Sequence, residues 1–247
     1  MSSPPSEFRR ARRPEQVEAR RRAILATARE TLLERSLAEV SLRELSDRVG
    51  LAKSNVLRYF DSREAIFLEV LETEWSSWLD ALEGEGEGEG EGEGEGEGEG
   101  ESGEGAEADG GSGGPYAVEI RFATSVADTL CVRPLLCELI SAMAGVLERN
   151  ISIGFARDFK QRAAAHTDRL AALVRTRLPQ LDETAAGHFA GAVFVITAGM
   201  WPYVNPTEAV ATVTAEMGYP TAAEAFPLQL REGFITHLIG LTARAAS

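Results

Sequence analysis

The chain is predicted to be all-α. Apolar residues recur along it at spacings near 3.6, capping and stop signals punctuate those stretches, and no alternating run of strand type is present. With 247 residues and 44% apolar content it can bury a substantial core. The formal charge of -14 argues at face value against an anionic partner, but it is unevenly placed. Residues 83–114 hold 13 acids, ten of them Glu alternating with Gly, and no base. The other residues balance 26 acids against 25 bases, and residues 1–63 carry 14 Lys/Arg against nine Asp/Glu. Positive charge is therefore concentrated at the N-terminus.

A basic arm, residues 1–17, bears Arg9, Arg10, Arg12 and Arg13. A first helix is expected from about Pro14 to Arg35, with Ile24, Leu25, Ala28, Leu32 and Leu33 on one side. Ser41 with Glu44 reads as a capping box opening a second helix, whose inner stripe is Leu42, Leu45 and Val49 and whose stop is Gly50. A third helix is expected from Ala52 to Phe60. A fourth runs from a box at Asp61–Glu64 to Leu82, with Phe67, Leu71, Trp75, Trp78 and Leu82 in one stripe. Together, residues 18–78 form one small helical domain. The tract 83–114 follows as a charged coil, because Gly opposes helix and Glu offers no apolar face. It reads as an insertion in a surface loop, with an acidic competitor for the basic arm as the alternative. The second domain, 115–247, is expected to hold helices near 116–131, 134–149, 152–178, 183–203, 206–217 and 224–244.

Cys131 and Cys137 form neither a disulfide framework nor a metal site, and with no secretory segment the expected setting is the cytoplasm, at the nucleoid. The uncharged apolar stretch Ala185–Val204 contains His188, three glycines and Pro202 and has no Lys/Arg flank. It is expected to be a buried or interface helix, not a membrane span. No Gly-rich phosphate loop, HExxH or nucleophile elbow occurs, so an enzyme is not expected, nor a cofactor or metal.

Two short helices joined by a tight glycine turn make a helix-turn-helix over about 41–60, whose second member enters the DNA major groove. Turning Ala52, Val56 and Phe60 inward leaves Ser54 and Arg58 outward, with Lys53, Asn55 and Leu57 at the flanks. Arg58 suits guanine O6/N7, Asn55 suits adenine N6/N7, and Leu57 can touch a thymine methyl. Ser41, Arg43, Tyr59, Ser62 and Arg63 lie at helix ends, where phosphates are met. An exposed Lys-Ser-Asn-Arg face favours nucleic acid over the alternative of an adaptor acting through protein contacts.

The runs Ile24–Glu34, Val40–Ser46 and Gly50–Phe67 resemble the N-terminal domain of the TetR family of bacterial transcriptional regulators, over about residues 20–80. The family's segment typically reads Gly-Val-Ser-Lys-x-Thr-Leu-Tyr-x-Tyr/His-Phe-x-x-Lys-Glu. Gly50, Lys53, Tyr59, Phe60 and Glu64 keep it. Asn55, Leu57 and Arg63 depart from it, as does Ser36, where a Gly commonly closes the first helix. Leu57 lacks the Tyr hydroxyl that meets a phosphate in the family. The resemblance implies a homodimer on a pseudo-palindromic operator and a C-terminal domain that binds a small molecule, so that the protein is a repressor released by its effector; a regulator with no effector is the alternative. For dimerisation, Gly187, Gly191 and Phe194 and the near-heptad residues Phe234 and Leu238 are candidates. For an apolar effector pocket, Phe122, Met143, Phe155, Phe159, Phe189 and Trp201 are candidates.

Overall fold

The computed structural model describes residues 7–88 and 114–246, with side chains over 14–84 and 114–246. Among them every regular element is helical: α1 (Glu7–Glu34), α2 (Leu42–Val49), α3 (Lys53–Val56), α4 (Arg63–Gly88), α5 (Ala117–Cys131), α6 (Pro134–Met143), α7 (Ile153–Arg177), α8 (Glu183–Met200), α9 (Glu208–Glu216) and α10 (Ala222–Ala245). Short 3₁₀ turns lie at Leu147–Asn150 and Trp201–Tyr203.

The chain divides into two compact units, although not by a single cut at the acidic tract. The first holds residues up to Ser76 together with Arg133–Ala165 and Thr197–Pro202; the second holds Ser77–Val132, His166–Ile196 and Tyr203 onward. Helices α4, α7 and α8 each contribute to both.

In the first unit Ile24, Ala28 and Leu32 of α1, Leu45 of α2, Val56 and Phe60 form the core with Ile66, Phe67 and Leu71 of α4. Leu33, expected inside, is exposed, and Thr31 takes the inward position, its hydroxyl donating to the Thr27 carbonyl at 2.7 Å. The backbone is helical from Glu7, so Arg9, Arg10, Arg12 and Arg13 lie within α1 rather than in an arm ahead of it; Pro14 sits inside that helix. Residues 1–6 of the expected arm are outside the described residues.

Four further expectations change in detail. Glu44 does not return to the Ser41 amide: its carboxylate takes Arg35 at 2.9 Å and Arg48 at 3.6 Å, leaving Ser41 to cap α2 through the Glu44 amide at 3.1 Å. The cap of α4 is Ser62, whose Oγ accepts from the Ala65 amide at 3.0 Å. The stretch expected as one helix over 134–149 breaks after Met143, at Ala144-Gly145-Val146, where Gly145 lowers the cost of leaving helical geometry. Last, α4 continues six residues past Leu82. Arg169 explains its first part, donating to Asp80 at 2.7 Å and to both oxygens of Glu83 at 2.5–2.6 Å. These contacts hold the Glu83 carboxyl below its usual range. The rest of the expected coil, residues 89–113, lies outside the described residues.

In the second unit α5 packs on α10. Phe226, Leu230, Phe234, Leu238 and Leu241 are all buried, at the 3- to 4-residue spacing of an inward stripe. Phe189 of α8 sits 6.2 Å from Phe122 and 6.2 Å, edge-on, from Phe234. Trp78 closes the α4 side by donating its indole N–H to Thr129 at 3.0 Å. Thr221 and Glu224 cap α10 reciprocally.

Candidate nucleic-acid interface

Gly50 ends α2 at φ +70°, ψ 31°, a left-handed conformation that costs glycine little and a β-carbon residue more. Its N–H reaches the Asp47 carbonyl at 3.2 Å, and the Leu51 N–H reaches the Ser46 carbonyl at 2.9 Å, closing the turn. The chain then enters α3 at Ala52. Regular α-helix covers only Lys53–Val56, shorter than expected; tighter bonds, Arg58 N–H to the Asn55 carbonyl and Tyr59 N–H to the Val56 carbonyl, carry the winding on to Phe60. Val56 and Phe60 are buried as expected. Ala52 is exposed, because it precedes the first turn and serves as its cap.

What remains outward is Lys53, Ser54, Asn55, Leu57 and Arg58, all exposed. Among the described residues, no side-chain hydrogen bond or ion pair occupies Lys53, Ser54, Asn55 or Arg58. Several of the first unit's other arginines are paired instead. Arg48 pairs with Glu34 at 2.7 Å, Arg29 with Glu74 at 2.5 Å, and Arg35 with Glu44. Arg43 is exposed and meets only Asp47, at 3.9 Å and one helical turn away, a contact that solvent weakens to a few tenths of a kcal/mol.

Two of the expected phosphate contacts have internal work. Arg63 is half-buried: it donates to the Val40 carbonyl at 2.8 Å, chelates Glu64 at 2.8–3.0 Å and lies over the Phe67 ring. Its guanidinium is thereby drawn inward, where it braces α4 against the start of α2. Ser62 is half-buried and engaged as the α4 cap. Ser41 is exposed and Tyr59 half-buried.

Sequence reasoning missed the residue that fixes the turn. Arg21 of α1 donates to the Tyr59 carbonyl and to both Glu69 oxygens at 2.5 and 2.6 Å, with its guanidinium 4.4 Å from the Phe60 ring centre. It ties the end of the recognition segment to α1 and α4 at once. In the basic run Arg20–Arg22 nothing marks Arg21 out except that it lies one turn before Ile24 on the inward side. Asp61, next after Phe60, accepts from Ser152 Oγ at 2.5 Å, and Ser152 in turn caps α7.

The six expected pocket residues are distributed over both units. Phe122 and Phe189 meet in the second unit, where the His237 ring stacks 6.3 Å from Phe189. In the first, Phe155 and Phe159 stack at 6.5 Å, Met143 is half-buried, and Trp201 is buried with its indole N–H on Glu138 at 2.7 Å. The dimer candidates divide as well. Phe234 and Leu238 are wholly buried within the single chain and cannot meet a partner: their spacing marks the face that α10 turns to its own core. Gly187, Gly191 and Phe194 are half-buried, and a β-carbon added at either glycine would meet nothing within 4 Å. The span Glu183–Tyr203 is long and apolar enough to cross a membrane by length and composition, and only a third of its most apolar window is buried.

Comparison with known proteins fits this geometry. Residues 24–70 match the profile described as bacterial regulatory proteins, tetR family, and residues 105–245, more than half the chain, match that of the tetracyclin repressor-like C-terminal domain. The HTH-type transcriptional regulator RutR of Escherichia coli K12, like that of Shigella flexneri, is 32% identical over 72 residues; these are 29% of this chain and 34% of RutR. The chain thus spans about a third of the length of the curated relatives it matches. Among solved structures, similarity extends to a protein of Mesorhizobium loti assigned to the TetR family (TM-score 0.49, 14% identity, 92% of this chain and 97% of that one). It extends also to the fatty acid degradation regulator FadR of Bacillus halodurans (TM-score 0.46, 10% identity, 86% and 96%). The helix-turn-helix at 42–60 and the helical second half, each matched by its own profile, place the chain in the TetR family of bacterial transcriptional regulators.

Proposed function

We propose that the protein is a homodimeric DNA-binding repressor that a small molecule releases from a pseudo-palindromic operator, acting in the cytoplasm at the nucleoid. The observation that carries this is the outward set Lys53, Ser54, Asn55 and Arg58, free of internal partners on a turn held by Gly50 and Arg21. An exposed arginine and asparagine with no internal hydrogen bond can give bidentate pairs to base edges without first breaking a contact. Lys53 and Arg43 supply phosphate neutralisation, and Ser41 and Tyr59 supply neutral phosphate contacts. Two such turns about one DNA turn apart, roughly 34 Å, read matching half-sites.

The dimer reading is supported by α8. Gly187, Gly191, Val195 and Gly199 follow one another at four-residue spacing, Val195 is 73% exposed, and open space lies over all three glycines. Such a stripe lets a second helix approach closely. An aqueous partner suits it better than lipid, since His188, three glycines and Pro202 interrupt it and no Lys or Arg flanks it.

The effector enters on thermodynamic terms: it shifts operator occupancy only as far as it binds one conformation better than the other. The helix α4, beginning directly after the recognition segment, is the element through which such a shift would reach the DNA-reading turn. The test is selection of genomic fragments by the purified full-length chain. Enrichment of one inverted-repeat site is expected. Retention of no fragment above background would leave the adaptor reading in its place.

A further inference from the structure

Helix α1 begins well before its core does. Its backbone is helical from Glu7, yet its first buried residue is Ile24, and residues 14–20 are all exposed. From Glu7 to Arg22 the sequence holds seven Arg against three Glu. Arg20 and Arg22 are exposed, and among the described residues no side-chain hydrogen bond or ion pair occupies either. Between them stands Arg21, which fastens this point of α1 to the Tyr59 carbonyl and lies over the Phe60 ring. The basic turns therefore leave the domain beside the end of the recognition segment. Unpacked helices shorter than about 12–15 residues are marginal in water, and like charges one turn apart weaken them further. An anionic partner relieves that repulsion.

The chemistry of the segment restricts that partner. A bilayer surface needs an apolar face to bury, and from Glu7 to Arg22 the only apolar residues larger than Ala are Phe8 and Val17, nine positions apart and so half a turn out of register. DNA needs no such face, and it already lies at the neighbouring Lys53–Arg58 surface in the function proposed above. A helix about 10–12 Å across does not enter a minor groove about 6 Å wide, and the major groove of the half-site holds the recognition segment, which leaves the phosphate backbone. The 14 residues from Glu7 to Arg20 span about 21 Å as helix. Two such extensions directed at each other would need about 42 Å in the roughly 34 Å between paired recognition segments, so they run outward.

We propose that the N-terminal turns of α1, through Arg20, Arg22 and the basic turns ahead of them, ride on the phosphate backbone of the DNA flanking each half-site. The inference rests on the DNA-binding homodimer proposed above and adds to it a contact that carries no sequence information.

Photo-crosslinking of the full-length chain on DNA tests it. Benzoyl-phenylalanine placed at the exposed Gln16, with the same group at the exposed Val213 of α9 as control, is irradiated on the selected site carrying about ten further base pairs on each side. A covalent adduct that maps outside the half-sites for position 16, and none for 213, is expected. In parallel, the double variant Arg20→Gln, Arg22→Gln, with helical circular dichroism retained, should bind this long duplex about tenfold more weakly, and an unrelated long duplex by the same factor. On the duplex trimmed to its two half-sites the variant should bind as the unchanged chain does. A complex that gives no adduct at position 16, or one only within the protein, overturns the contact and leaves the DNA-binding reading standing. A loss confined to the selected sequence makes these arginines base contacts and overturns it likewise. Failure to bind any duplex overturns both. If the Gln variant fails to fold, the crosslink at 16 still decides.

Discussion

Replacing Arg21 by Met removes the contacts that hold the end of the recognition segment while keeping the aliphatic stem over Phe60. Arg21 makes two charge-assisted bonds to Glu69 and one to the Tyr59 carbonyl, with side-chain exposures of 29% for Arg21 and 16% for Glu69. Breaking a fully buried pair costs about 3–5 kcal/mol, and an exposed one about 0–1 kcal/mol. The partial exposure here places the loss between them, at about 2–3 kcal/mol, much of it from leaving Glu69 without a partner. Urea unfolding of Arg21→Met, Glu69→Gln and the double variant measures this. The pair coupling should come out at about 1–2 kcal/mol, and the double variant should recover part of the single variant's loss. Operator affinity should fall further than stability accounts for, since the Tyr59–Phe60 end of the turn is freed. A coupling below about 0.3 kcal/mol with unchanged operator affinity would refute the assignment of Arg21 as the tie of the recognition turn.

Arg58→Ala should cost about 1–3 kcal/mol in operator binding and relax specificity at one base position; an equal loss on every sequence would make Arg58 a phosphate contact instead. Arg63→Ala should lower unfolding stability, by about 1–3 kcal/mol from the bonds to Val40 and Glu64, without changing the slope of log affinity against log salt, and a shallower slope would return Arg63 to the DNA. His237 is held below its ordinary value chiefly by burial, with the charges of Arg244 and His188 acting in the same sense against the hydrogen bond it donates to the His188 backbone carbonyl. As pH falls the unfolded chain therefore takes the proton first, so stability is full above about 6.5 and declines below it, by at most about 1.4 kcal/mol per pH unit for one proton. Thermal unfolding between pH 7.5 and 5.5 should show a smaller drop in His237→Phe than in the unchanged chain, and equal drops would remove His237 from the account.

Much of the fold was legible because helical periodicity reports which face is turned inward. The α4 stripe Phe67, Leu71, Trp75, Trp78 and Leu82 is buried throughout, and Val56 and Phe60 are the inward residues of the recognition segment. The same signal misled at α10, since a stripe such as Phe226–Leu241 says that a face is covered without saying by which chain. Side-chain pairings across distance were illegible for a related reason. Arg63 reaches a carbonyl 23 residues away and Arg21 a carboxylate 48 residues away, and in the sequence each stands only as a basic residue in a helical run. Past Leu82 α4 is held at Glu83 by Arg169, 86 residues away, so local composition alone stopped the helix too early. Helix α10 starts at Ala222 where about 224 was expected, because Thr221 and Glu224 cap it reciprocally, a box the periodicity alone did not bring out.

The dependence of operator binding on salt, measured by fluorescence anisotropy on the selected site together with the mass of the complex, tests the central claim most directly. Two copies, each presenting Lys53 and Arg43 to phosphates, should bind as a dimer with a slope of log affinity against log salt of about -3.6, from about -0.9 per phosphate neutralised. Lys53→Ala in both copies should make that slope shallower by about 1.8. Binding by a single chain, or a slope near zero that Lys53→Ala leaves unmoved, would contradict the claim that the outward face of residues 53–58 meets DNA as part of a homodimer.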